Sequence, residues 1–192
     1  MIKSNQPIFL ASKSPRRRKL LKQIGLKFKS FQVDLHEEIF DGEHPVQTVK
    51  RLSLHKMKEA AKKVSDSIII TADTIVVLDH EIIGKPKDEK DAFKILSKLS
   101  GRTHEVFTGF AILNQKTKKQ IVSYEKTKVT FRILSKNEIV DYIKTGSPMD
   151  KAGAYGIQDD FGSVFVERIN GCYYNVTGLP IQKLYKELLK IV

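Results

Sequence analysis

Ile8-Phe9-Leu10-Ala11-Ser12-Lys13-Ser14-Pro15-Arg16-Arg17-Arg18 is the stretch from which the rest of the chain can be read. Four apolar residues make a short buried strand. From Pro15 a helical pattern begins, with Leu20, Leu21 and Ile24 on one face and Gly25 to stop it. Ser14 falls at the N-cap and Pro15 at the first helical position, where both residue types are favoured. A helix start carries partial positive charge and unpaired N–H groups, so acidic residues normally follow the cap. Here three arginines follow it. Either this is a solvated basic face, or an anion lies against the turn, since strand-to-helix junctions are natural phosphate sites.

Working outward, strands and helices alternate without a linker, repeat or low-complexity segment. Residues 28–35 read as extended. Pro45 opens a long helix to about Val64 with Val46, Val49, Ser53, Met57, Ala60 and Val64 as its buried stripe. Residues 67–72 form a strand, and a hairpin of 75–78 and 81–83 turns at Asp79-His80. Asp88 caps a helix that Gly101 ends. Two longer strands follow, about 103–113 and 120–134. Ser135 and Glu138 make a capping box for a short helix ending at Gly146. A second hairpin is expected across Asn170-Gly171, from 164–169 to 172–177, before a closing helix. The order is mixed α/β, without the strict alternation of a doubly wound sheet.

The chain has 192 residues, 41% hydrophobic and 29% charged, which suits one globular domain or one domain of two lobes. Its N-terminus is too polar for a signal peptide and no apolar run approaches membrane-spanning length. Cys172 is the single cysteine, which excludes an internal disulfide and suggests no zinc cluster, and a cytoplasmic protein is expected. The net charge of +12 would attract nucleic acid, an acidic membrane or a nucleotide. With the lysines scattered along the chain, charge alone does not choose among them.

Asp73 interrupts an otherwise apolar run, Ile68 to Leu78. Burying an ionised carboxylate costs several kcal/mol or more unless it is paired or metal-bound. Either it serves a function within the sheet, or the strand ends at Ala72 and Asp73 is a turn residue. Lys85, in Gly84-Lys85-Pro86, reads equally as a phosphate clamp or a surface lysine. Lys56 lies two helical turns after Val49 and flanks the apolar stripe, the pattern of a snorkelling lysine. Glu37 is one carboxylate in an acidic loop. His104 reads as structural, having no cysteine or serine partner. In residues 150–158, Asp150-Lys151-Ala152-Gly153-Ala154-Tyr155-Gly156-Ile157-Gln158, the glycines allow close approach of a ligand and Gln158 could hydrogen-bond a base edge; a purely structural loop is the other reading. Neither a Walker lysine loop nor a dinucleotide fingerprint is present.

Together these segments resemble the Maf family of nucleoside triphosphate pyrophosphatases. The resemblance rests on Ser12 to Arg17 with Leu20-Leu21, Asp34 to Glu37, Ala72-Asp73-Thr74, Gly84-Lys85-Pro86, Ser100 to His104, Thr108-Gly109, residues 150–158 and Asn175 to Pro180, in the family's order over nearly the whole chain. It implies a mixed, twisted sheet with flanking helices and a deep cleft, akin to inosine triphosphatase. It also implies cleavage of a nucleoside triphosphate to the monophosphate and pyrophosphate with Mg2+ or Mn2+. By motif position Asp73 is the proton acceptor. Ser12, Ser14, Arg17, Lys56 and Lys85 serve the phosphates, Glu37 and Asp150 complete the polar centre, and Glu37 with Asp73 hold the metal. Arg16, Thr74 and Gln158 occupy the positions that separate subfamilies, and are similar to the dTTP/UTP branch rather than the 7-methyl-GTP branch. Two departures are His36, where an acidic residue is frequent, and Asp159-Asp160-Phe161, where a glycine-rich stretch is usual. The resemblance further suggests a homodimer, with no membrane and no primary nucleic-acid partner. A nucleic-acid-binding or regulatory protein is the rival from another class, raised by the charge and the Arg16 to Lys19 cluster; the family resemblance adds a link to septum formation.

Overall fold

Strand β3 (Ile68–Leu78) runs unbroken through Asp73 and is buried along nearly its whole length. The reading in which the strand stops at Ala72 is therefore corrected: Asp73 sits mid-strand. The computed structural model describes every residue except Met1, Lys3, His36, Glu37, Asp41, Asp159 and Asp160. Glu37 and the Asp159-Asp160 departure thus lie outside the described residues.

The strands are β1 (Ile8–Ala11), β2 (Lys29–Phe31), β3, β4 (Glu81–Ile83), β5 (Thr103–Asn114), β6 (Gln120–Phe131) and β7 (Val166–Asn170). The helices are α1 (Pro15–Gln23), α2 (Pro45–Ala61), α3 (Glu89–Leu99), α4 (Lys136–Lys144), α5 (Tyr173–Val176) and α6 (Ile181–Leu188). Hydrogen-bonded order is β2-β1-β3-β5-β6-β7, with β4 added to β3. β1 is parallel to both β2 and β3, whereas β4 on β3 and β7 on β6 are antiparallel. The mixed α/β expectation holds.

The chain forms two compact units, Met1–Asp73 with Thr108–Glu125 and Gly178–Val192, and Thr74–Phe107 with Lys126–Thr177. In the first, α2 lies against the sheet because two positions allow it. Thr71 Oγ1 donates to the Ser53 carbonyl at 2.7 Å, and Gly109 lacks the Cβ that would stand 2.3 Å from the Val49 carbonyl oxygen. Met57, Ala60, Ile69, Ala111 and Ala11 share the core so formed.

The second unit packs α3 and α4 over Val76, Leu78, Val106, Phe131 and Phe165. Its local signals are those expected. Asp79 and His80 both adopt positive φ in the two-residue hairpin turn. Asp88 caps α3, and Ser135 with Glu138 closes the capping box. The Asn170-Gly171 hairpin is the exception. β7 pairs with β6, and the segment after Gly171 coils into α5. Gly171 serves close approach instead: a Cβ there would lie 2.9 Å from Thr127 Oγ1 and 3.0 Å from its Cα.

Candidate active site

In the first unit the junction after β1 converges on Asp73. Ser14 caps α1, its hydroxyl accepting the Arg17 N–H at 3.4 Å, while the Ser12 hydroxyl accepts from Ser14 N at 3.2 Å. The Arg17 side chain is buried and turns inward. Its Nη1 donates to the Ala72 carbonyl and its Nε to the Gly178 carbonyl, both at 2.8 Å, with Ser12 Oγ 3.4 Å from Nη1. One guanidinium thus ties the start of α1 to the residue before Asp73 and to the entry of α6. Sequence assigned Arg17 to the phosphates alone; at least two of its donors instead brace backbone. Arg16, next along α1, is half-buried.

Asp73 is 6% exposed. Its Oδ1 accepts from Lys56 Nζ at 3.0 Å. Its Oδ2 is buried with no hydrogen-bond partner among the described residues. A lone buried carboxylate oxygen is costly, and such an atom calls for a proton donor or a cation. The position of Lys56 follows from α2: Val49, seven residues earlier, is the residue seated over Gly109. The helix face that meets the sheet therefore also delivers the ammonium to Asp73, so the snorkelling reading of Lys56 gives way to an ion pair.

Thr74, Lys85, Asp150 and Gln158 belong to the second unit. Residues 150–158 are held there at several points. Gly153 N donates to the Gly84 carbonyl at 3.0 Å, which sets this segment beside Gly84-Lys85-Pro86. Gly153 has φ of 74° and meets Val76 so closely that a Cβ would lie 2.9 Å from its Cγ2. Gly156 N donates to Tyr142 Oη at 3.3 Å. Tyr155 Oη shares a 2.8 Å hydrogen bond with His104 Nε2, and Phe131 packs edge-on against both rings. Burial holds the His104 imidazole down to about 4 and pushes the Tyr155 phenol upward. His104 is therefore neutral and structural, as its lack of a nucleophile partner suggested. Asp150 is 3.0 Å from the buried ammonium of Lys151, which also bonds Ser147. Lys85 is exposed, and Thr74 and Gln158 are half-buried.

Sequence reasoning missed Lys151, Tyr155 and the Gly178 carbonyl. An aromatic flanked by small residues at Tyr155 was a usable signal, because so large a side chain must be buried somewhere. Nothing local marked Gly178, whose part is played by backbone.

A model of the family described as Maf-like protein matches residues 7–191. The chain belongs to the Maf family. It is 49% identical over 181 residues to a dTTP/UTP pyrophosphatase of Syntrophomonas wolfei, covering 94% of this chain and 95% of that one. It is 47% identical over 184 residues to a dTTP/UTP pyrophosphatase of Aquifex aeolicus, covering 96% and 95%. Among solved structures, a HAM1 protein from Coxiella burnetii superposes with a TM-score of 0.51 at 12% identity, covering 96% of this chain and 99% of that one. At that identity the likeness concerns the Maf fold alone, and it agrees with the fold read from sequence.

Proposed function

We propose that this Maf protein is a nucleoside triphosphate pyrophosphatase that cleaves dTTP and UTP to the monophosphate and pyrophosphate, a housecleaning hydrolase of the cytoplasm acting as a homodimer. The observation that carries the reading is Asp73. This carboxylate is buried mid-strand, with one oxygen held by Lys56 and the other unmatched, in the same unit as a capped helix start rich in cations. The naming of relatives at 47–49% identity supports the same activity and substrates.

Phosphate oxygens dock on the Ser12–Ser14 turn, where N–H groups and the positive helix end meet negative charge. Arg16 and Lys56 offset the charge on the leaving pyrophosphate. Arg17 holds the Ala72 carbonyl so that Asp73 keeps one orientation. Asp73 accepts a proton from the water that attacks the α-phosphorus, through the carboxylate oxygen not engaged by a metal, as the bond to the departing pyrophosphate breaks. Arg16, Thr74 and Gln158 select the base.

The unmatched Oδ2 suits a hard divalent ion. The described residues contain no group of three or more His, Cys, Asp or Glu able to cage a cation, but Mg2+ is commonly held by one or two carboxylates plus substrate phosphates. Asp73 and Glu37 are the residues assigned to hold it. Mg2+ or Mn2+ bound there would offset phosphate charge and acidify a water molecule.

Pyrophosphate release should be assayed on dTTP, UTP, CTP, GTP, ATP and 7-methyl-GTP, with and without Mg2+ or Mn2+. Preferential cleavage of dTTP and UTP, abolished by chelator, is expected. A purine preference would defeat the assignment of Thr74 and Gln158, and full activity in chelator would remove the metal. Light scattering at assay concentration tests the dimer.

A further inference from the structure

The scatter of lysine along the chain conceals an asymmetry. Residues 1–33 contain nine Lys and Arg and no Asp or Glu, so they account for nine of the net twelve positive charges. Arg16 and Arg17 are absorbed by the site described above, and Lys13 pairs with Asp34. Lys3 lies outside the described residues and Lys19 has an interaction of its own, which leaves Arg18, Lys22, Lys27 and Lys29. None of the four has a carboxylate partner among the described residues, whereas Arg51, Lys98, Arg102, Lys126, Arg132 and Lys144 each face one.

The topology gathers three of these four at one end. α1 leaves the sheet at the C-terminal end of β1, beside Ser12 and Ser14, and returns through a short turn at Gly25 to the start of the parallel strand β2. Lys22 closes α1, Lys27 lies in the turn and Lys29 begins β2. All three are exposed. Nine helical residues separate them from the Ser14 cap by about 13 Å along the axis. This surface is therefore distinct from the phosphate-binding end of the same helix.

Individually, two of these lysines have a local reason. Lys22 favours the negative end of α1, and Lys29 blunts an edge strand against pairing with another sheet. Neither reason explains Lys27, nor the placing of Arg18 four residues before Lys22, where like charges repel, nor the exclusion of every acid from 33 residues. A protein partner would want an apolar centre in its contact, and a membrane surface would want apolar residues beside the cations for insertion. Residues 13–33 expose no large apolar side chain. Charge without apolar surface is what a phosphodiester backbone requires.

We propose that Lys22, Lys27 and Lys29 form a surface that binds the sugar–phosphate backbone of nucleic acid without sequence preference, separately from nucleotide hydrolysis. The test is fluorescence anisotropy with labelled oligo-dT and a mixed-sequence DNA duplex at rising salt. Wild type is compared with K22Q/K27Q/K29Q and with a control of equal net charge, K90Q/K94Q/K136Q. Binding that weakens with salt is expected. The first variant should lose about tenfold or more at low salt, with a log–log salt slope shallower by about 2 to 3. The control should keep most of its affinity, and both variants should release pyrophosphate from dTTP as wild type does. Absence of salt-sensitive binding overturns the proposal. So does an equal loss in the control, which would mean net charge alone, or tighter binding to phosphatidylserine vesicles than to either DNA, which would mean a membrane surface. Because hydrolysis is read separately, failure of this surface and failure of the proposed activity give different results.

Discussion

Each unit buries a pair of titratable groups, and these two pairs are treated oppositely. In the first, Asp73 and Lys56 meet at 3.0 Å, and one carboxylate oxygen is left unmatched. In the second, His104 and Tyr155 share a 2.8 Å hydrogen bond among aromatic rings, and burial disfavours charge on either. His104 Nδ1 is likewise buried without a partner among the described residues, but a neutral nitrogen bears that at far lower cost than a carboxylate oxygen. The difference separates a pair arranged for chemistry from one arranged for packing. An unmatched atom in a polar setting of helix start, arginine and lysine can act on a ligand. One sealed against Phe131 can only hold its own segment in place.

The sharpest way to break this contrast is Asp73→Asn. It should lower turnover by about 10^2- to 10^4-fold, the usual worth of a general base, while equilibrium dialysis still finds the nucleotide bound. Unchanged pyrophosphate release would end the assignment. Next, Lys56→Met removes the cation beside a buried carboxylate and should cost about 3–5 kcal/mol in urea unfolding. Lys56→Met combined with Asp73→Asn should recover much of that loss. If the double variant is no better than the single, the pair is not an electrostatic unit.

The His104 pair makes the complementary prediction. A histidine held at about 4 when folded and near its ordinary 6.5 when unfolded binds more protons in the unfolded chain between those values. Its neutral burial therefore leaves stability intact above pH 6.5 and erodes it as pH falls toward 4, by about 3 kcal/mol in all. His104→Gln should flatten the fall in unfolding free energy between pH 6.5 and 4.5, whatever its absolute stability. A variant with the wild-type slope would show that the imidazole does not titrate as its burial demands. The smallest effect is expected at Gly109→Ala. The added Cβ, 2.3 Å from the Val49 carbonyl oxygen, must push α2 outward, at about 1–3 kcal/mol for overpacking. Because α2 carries Lys56, kcat should fall more than KM changes. A loss confined to stability would separate the packing of α2 from the placement of Lys56.

Much of this was legible beforehand where the signal was local. Ser14-Pro15, Asp88 and the Ser135–Glu138 box set helix starts through side chains that satisfy backbone N–H groups a few residues away. Asp73 was visible as a charge in an apolar run. The Asn170-Gly171 hairpin failed because β6 supplied β7 with its partner, leaving Gly171 to meet Thr127 and the following residues to coil. Arg17 was half understood: its place at a helix start suggested an anion, but a buried guanidinium takes the nearest carbonyls, and those came from Ala72 and Gly178, distant in sequence.

The amino-acid order alone marked most of the strands and helices, an acid inside an apolar run, and the cations that crowd one helix start, since each depends on neighbours within a few positions. Only the folded chain decided which lysine reaches Asp73, which carbonyls Arg17 grips and that His104 seals a loop through Tyr155. Those choices depend on how closely backbone can approach backbone, at Gly109 under α2 and at Gly153 against Val76, and such distances are fixed by packing between residues far apart in the chain.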